Sequence, residues 1–369
     1  MDTDDDTSDI RHILLTYWPD VFESSSSDVS VIKLISKPES LHKRWQICLP
    51  PTTTSYILKQ LTHGQNLEYE LNYLADFHKY LDTSSLQVPH PIALSSSQAL
   101  FIEYNHHFYW LYEYINGNIQ KVDFDEQQML ALATCLSKYH HFLITHNPPL
   151  HTKENSHRVA RLLDELRTSM AMIRLKKQQQ QQQQQQSETT EIDIVEEYVF
   201  DCYPQLSKII KDILKKKGAT ATAIKAYPIH GDIRPTNVIW DDNKNIIGLL
   251  DFENVDENEC YTLWRDLAIC SLTFCCSDDD QSQSNINKIQ ILINEYLKLV
   301  FIGLPIPWLT KNEFANSILD EMIMCSIEDY LFLYWQYKNN ESENFQGLDE
   351  MKLYYKRSIW HYENISKFY

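Results

Sequence analysis

The first third of the chain carries short runs in which apolar and polar side chains alternate. The remainder carries longer runs with apolar residues three or four apart. Alternation puts every second side chain on one face of a strand, whereas 3–4 spacing draws a stripe along a helix. Residues 31–35, 45–49 and 55–61 therefore read as three strands of an antiparallel meander, joined by the polar turn 36–44 and the Pro50-Pro51 pair. A helix follows over 66–81, with Leu67, Leu71, Leu74, Phe77 and Leu81 as its stripe. After the extended Val88-Pro89-His90-Pro91, residues 99–104 and 108–115 read as two more strands, ended by the turn Asn116-Gly117-Asn118. Helices are predicted over 126–143, 156–175 and 191–217, and through most of 263–369. Two short strands, 238–240 and 246–250, flank the turn 241–245 and interrupt that run. The glutamines 178–186 read as a low-complexity insertion, looped out over 176–190. A short helix over 11–17 is stopped by Pro19.

Strands first and helices after predict an α+β fold with two unequal lobes. The expected boundaries are a disordered tail at 1–10, a small antiparallel β N-lobe at 11–115 and a larger, mostly helical C-lobe at 116–369.

Charge narrows the partners. The chain has 33 Lys and Arg against 51 Asp and Glu, a net charge of −18. That argues against nucleic acid and anionic membrane surfaces, both of which call for a basic patch. No apolar run reaches the length of about 18 residues that spans a bilayer. The acidic start Met1-Asp2-Thr3-Asp4-Asp5-Asp6 resembles neither a secretory signal nor a transit peptide. Eight cysteines without a C-x-x-C pair or zinc-ligand spacing read as reduced thiols, so a cytoplasmic protein is expected. No interface signature stands out, and the oligomeric state stays open.

The densest chemistry lies in His230-Gly231-Asp232-Ile233-Arg234-Pro235-Thr236-Asn237, followed by Asp251-Phe252-Glu253. An Asp, four residues and an Asn lie in a loop, and the next hairpin delivers a second Asp at a strand end. Phosphoryl transfer needs these types. Mg must bridge the phosphate oxygens and prefers hard oxygen ligands, which Asp251 and the Asn237 amide supply. The attacking hydroxyl needs an acceptor for its proton, and Asp232, displaced from the metal ligands, suits that task. The spacing matches the kinase catalytic loop and the D-F-G that follows it, with Gly for Arg and Glu for the last Gly. On the third strand, Lys59 shares a face with Ile57 and Leu61 and would meet nucleotide phosphates. Its expected partner is Glu70, because at about 100° per residue Glu70 falls inside the helix stripe and Glu68 on the far side.

With Asp266-Leu267-Ala268 downstream, these motifs resemble the superfamily of aminoglycoside phosphotransferases and type II homoserine kinases, of which choline and ethanolamine kinases are more distant members. The resemblance covers residues 31–269 and is densest over 227–270. It implies a protein-kinase-like two-lobed fold and an ATP- and Mg-dependent transfer to a hydroxyl of a small molecule: an amino alcohol, a homoserine-like or choline-like compound, or an amino sugar. It assigns Asp232 as catalytic base and Asn237 and Asp251 as Mg ligands. It pairs Lys59 with Glu70 at the nucleotide and gives Asp266 the anchoring of the catalytic loop. It places Glu113 and Ile115 in the segment whose backbone binds the adenine edge. Glu253 either holds the metal's waters or faces solvent. The chain departs from the family pattern in having no glycine before Gly64, so no Gly-rich phosphate loop exists; Ser36, in the turn 36–40, takes the phosphate-contacting place by the same resemblance. A nucleotide-binding scaffold without phosphotransfer is the alternative. A protein kinase is disfavoured, since no A-P-E-like segment is present.

Overall fold

A computed structural model of the chain describes residues 5–22, 29–34, 42–49, 54–64, 66–81, 85–146, 155–183, 194–218, 226–257, 260–276, 280–301, 311–340 and 347–364. Along the chain run α1 (Asp5–Tyr17), α2 (Pro19–Phe22), β1 (Ser30–Leu34), β2 (Lys43–Cys48), β3 (Ser55–Leu61), α3 (Leu67–Tyr80), β4 (Ile102–Tyr104) and β5 (His107–Glu113). Then come α4 (Glu126–His146), α5 (Asn155–Gln183), α6 (Ile194–Gly218), β6 (Val238–Trp240), β7 (Ile246–Leu249), α7 (Trp264–Phe274), α8 (Ile286–Phe301), α9 (Lys311–Asn340) and α10 (Leu348–Asn364). The chain divides into two compact units, Met1–Lys121 with Pro235–Glu259, and Val122–Arg234 with Cys260–Tyr369.

The first unit is built on an antiparallel sheet of order β1-β2-β3-β5-β4. The central strand β3 is covered on both sides. Leu58 joins a core in which Ile13, Leu14, Trp18 and Phe22 of α1–α2 meet Trp45, Ile47 and Leu111, while Lys59 points to the other face. Helix α1 begins at Asp5, inside the stretch expected to be a disordered tail. Buried Ile10, Ile13 and Leu14 supply the tertiary contact that holds a helix too short to persist alone. The hairpin β6–β7 belongs to this unit. Gln87 N–H donates to Ile247 O at 2.8 Å and Leu249 N–H to Gln87 O at 3.0 Å, and Asn118 and Trp240 exchange two backbone bonds of 2.8 Å. At Gly117 a Cβ would stand 2.4 Å from Ile239 Cγ2 and 2.8 Å from the Trp240 carbonyl, so this crossing admits only glycine.

The second unit is helical. Leu162, Leu166, Val199, Ile209, Ile213, Ile327, Tyr330 and Tyr334 close its core between α5, α6 and α9. Helix α5 continues to Gln183, so the glutamine tract is not wholly looped out, as its composition suggests. Glutamine is a good helix former, and the helix is already seeded by buried Leu166, Met170 and Ile173. Among the described residues no helix is long and apolar enough to cross a membrane.

Candidate active site

In the first unit the chemistry gathers around Asp251. It follows β7 with φ 67°, in the left-handed region that aspartate tolerates better than most residues. Its Oδ1 accepts hydrogen bonds from Lys59 Nζ and Arg44 Nη2, each at 3.2 Å. The two cations occupy facing positions of β2 and β3, which is why they arrive together. Phe252 buries its ring against Tyr73 and Phe77 of α3, at 6.3 and 6.1 Å between centroids. That contact leaves Asp251 and Glu253 on either side to meet the lysine. Glu253 pairs with Lys59 and lies 3.0 Å from His42 Nε2. Burial favours the protonated Glu253 carboxyl, but the His42 hydrogen bond and the Lys59 charge together hold it well below the usual carboxylate range.

Lys59 is 3% exposed and lies over the Trp110 ring, 5.9 Å from its centroid. Burial works to lower its pKa, yet the combined field of Asp251, Glu253 and Glu70 outweighs that and holds the ammonium above its ordinary value. The structure buries Glu70 and exposes Glu68, but it gives Lys59 other partners than the one expected. The ion pairs of Lys59 are to Asp251 and Glu253, because these two straddle Phe252 and reach the ammonium directly. Glu70 is left as a buried carboxyl, pushed up by desolvation to about 7 despite the lysine's field.

Asn237 ends a 3-10 turn, Pro235–Asn237. Its carbonyl accepts the Leu250 N–H at 2.8 Å, so the hairpin ties the Asn to the residue before Asp251. Among the described residues no group of three or more His, Cys, Asp or Glu side chains is arranged to hold a metal. Mg bound with nucleotide phosphates needs only one or two protein ligands. The Asp251 carboxylate, whose Oδ1 already draws two cations, and the Asn237 amide fit that need. Glu113 stands exposed at the end of β5, and Ile115 is buried, its Cγ2 2.9 Å from where a Cβ on Gly248 would lie. Ser36 falls outside the described residues.

In the second unit the residues of the loop 230–234 are held from behind. Gly231 has φ 72°, a conformation that disfavours any side chain, and its N–H donates to Asp266 Oδ1 at 2.7 Å. Asp266 Oδ2 lies 3.3 Å from His140 Nε2, and His140 Nδ1 lies 2.7 Å from the Tyr296 hydroxyl. All three side chains are fully buried. The Asp232 N–H donates to His230 Nδ1 at 3.2 Å, which fixes the backbone while the carboxylate stays a quarter exposed. That carboxylate pairs with Arg234 of the same loop. The residues that sequence reasoning passed over are Arg44, His42 and Arg234. Arg44 had a signal, since pairing β2 with β3 puts it opposite Lys59.

Residues 49–286 match the model of the phosphotransferase enzyme family. The chain belongs to that family. Membership makes it a small-molecule kinase that acts on a hydroxyl group. No curated protein matches the sequence significantly. Among solved structures, a spectinomycin phosphotransferase in complex with ADP and spectinomycin is similar at 13% identity and TM-score 0.62, over 98% of each chain. A microcompartment-associated aminopropanol kinase is similar at 12% identity and TM-score 0.60, again over 98% of each chain. An ethanolamine kinase of Plasmodium vivax is similar at 12% identity and TM-score 0.54, over 95% of this chain and 86% of its own. At these identities the likeness shows the fold, which is the protein-kinase-like α+β arrangement of these enzymes.

Proposed function

We propose that this kinase transfers the γ-phosphoryl group of Mg-ATP to the hydroxyl of a small molecule, with Asp232 as proton acceptor. The acceptor's O–H bond yields its proton to the Asp232 carboxylate while its oxygen bonds to phosphorus. The bond from the γ-phosphorus to the β,γ-bridging oxygen breaks, and ADP leaves. The observation that carries the reading is the convergence of Lys59 and Arg44 on one oxygen of Asp251. Two buried or half-buried cations and a carboxylate at one point are what a metal-bound polyphosphate requires. Lys59 and Arg44 meet phosphate charge, and Glu253 holds Lys59 in place. Asp251 and Asn237 hold the metal. Mg supplies neutralisation of the phosphate charge that develops during transfer. Three similar structures carry ADP or AMP-PNP, and the one with AMP-PNP, an amicoumacin kinase, also holds Ca²⁺.

Thermal unfolding with and without Mg-ATP tests this reading. Saturating nucleotide at about 100 times its Kd stabilises a protein by about 2.7 kcal/mol. The wild type is expected to gain several degrees in Tm and Asp251→Asn to gain much less, while Asp232→Asn keeps the gain but loses turnover. Equal gains in wild type and Asp251→Asn would remove the metal assignment.

A further inference from the structure

A narrow cleft of about 60 Å³ opens wholly within the second unit, beside the loop 230–234. Three arginines and a carboxylate line it: Arg234 on the loop, Arg265 on α7, Arg357 on α10 and Asp329 on α9. Two of the arginines are engaged elsewhere. Arg265 Nη1 lies 2.7 Å from Glu328 Oε2, and its guanidinium sits 4.5 Å from the centroid of the Tyr261 ring. Arg357 donates to the Gln281 carbonyl at 2.8 Å and to Cys276 Sγ at 3.3 Å. The third, Arg234, pairs with Asp232 itself.

That pairing works against the chemistry assigned to Asp232. A guanidinium beside a carboxylate favours the ionised form, so it opposes the step in which the carboxylate takes a hydroxyl's proton. Arg234 must leave Asp232 in that step, and a recessed cation needs another anion to go to. Glu328 is already taken: burial favours its acid form, but Arg158 and Arg265 hold it down at about 2. Asp329 is not. Among the described residues it closes no hydrogen bond or ion pair, and of the cations that face it Arg234 pulls hardest, ahead of Arg265 and Arg357. The pull is mutual. Burial works to lower the pKa of Arg234, and Asp232 first and Asp329 second hold it above the ordinary value. The Arg234 side chain is 43% exposed, so it can swing between the two carboxylates without unpacking a core.

We propose that Asp329 is a positioning residue, which takes the Arg234 guanidinium from Asp232 as an acceptor hydroxyl arrives and so frees the Asp232 carboxylate for the proton. This rests on the reading of Asp232 as the base. Only an ionised Asp329 can take the guanidinium. Burial pushes its carboxyl up to about 6, with Glu328 adding to the shift and the three arginines opposing it. Tyr354 on α10 also faces it, as a phenol kept neutral by burial and by Asp329. The exchange is therefore open above about pH 6 and is lost as pH falls through that value.

Rates of ADP release from saturating Mg-ATP between pH 5 and 8 test this, with ethanolamine as acceptor and, in its absence, with water. The wild-type kcat is expected to rise about tenfold with a midpoint near pH 6. Asp329→Asn is expected to match the wild type at pH 5 and to fall about tenfold below it at pH 8, with the KM for ATP moved less than twofold. In an Arg234→Gln background the midpoint should vanish, and adding Asp329→Asn should change kcat less than twofold, because no guanidinium is left to take. The proposal is overturned if Asp329→Asn lowers kcat by the same factor at pH 5 and pH 8, as a loss of packing would. It is overturned equally if Asp329→Asn costs as much without Arg234 as with it. Should Asp329→Asn fail to fold, the wild-type and Arg234→Gln profiles decide, and a midpoint that survives the loss of Arg234 overturns it. Turnover that persists in Asp232→Asn, or no ADP release by the wild type under either condition, would instead strike the proposed function and this inference with it.

Discussion

Glu70 and Glu253 are two carboxylates in the field of one lysine, and the fold treats them in opposite ways. Glu253 reaches Lys59 and is held ionised, whereas Glu70 stays behind it and is pushed up to about 7. For Glu70 the folded chain binds more protons than the unfolded chain between about 4.5 and about 7, so its contribution to stability falls as pH rises through that window. Glu70→Gln is therefore expected to raise Tm over the wild type at pH 8 and to lose that advantage at pH 5. An equal difference at both values would show that Glu70 is not the strained group. For Glu253 the sign reverses: its depressed pKa means stability present above the unfolded value and lost as pH falls. Glu253→Gln at pH 7 should cost about 1–3 kcal/mol, the scale of a charged hydrogen bond broken beside a buried cation, as read by urea unfolding. Helical periodicity was enough to separate Glu70 from Glu68. The partnership of Glu253 with Lys59 was not legible, because it depends on the left-handed backbone at Asp251, which no pattern of apolar positions announces.

Among elements, the loop that carries Gly231 and Asp232 is shaped by what lies behind it. Asp266 on α7 accepts the Gly231 N–H and is itself placed beside His140 of α4, which in turn meets Tyr296 of α8. This chain of contacts fixes a loop whose Gly231 has φ 72°. Asp266→Asn is expected to cut kcat by tenfold to a hundredfold while the KM for ATP moves less than twofold, since displacement by about 1 Å at a reacting group costs on the order of 10². A change in KM alone would contradict the anchoring role. Gly231→Ala should cost about 1–2 kcal/mol, the price of a Cβ in the left-handed region, read as a lowered Tm. The strands and helices themselves were largely legible from alternation and 3–4 spacing. The ends were not: α1 starts early because its apolar face finds the sheet, and α5 runs into the glutamines because an established helix propagates at little cost.

At the scale of the whole molecule, strand-rich and helix-rich regions were visible in the sequence, but the sharing of residues between units was not. The β6–β7 hairpin lies more than a hundred residues beyond the sheet yet clusters with the first unit. Single backbone pairings to Gln87 and Asn118 decide that placement, and they leave no periodic trace. The same partition separates Asp232 from Asn237 in the unit assignment although four residues join them in the chain. The fold is shared with solved structures at identities of only 12–13%, so most of the sequence can change while the arrangement of strands and helices is kept. The most direct test of the central claim is ADP release from Mg-ATP in the presence of small hydroxylated acceptors, compared between wild type and Asp232→Asn. The account predicts release that requires both Mg and acceptor and that falls by about 10²–10⁴ in the variant. Release that persists unchanged in Asp232→Asn, or that no acceptor elicits from the wild type, would contradict it.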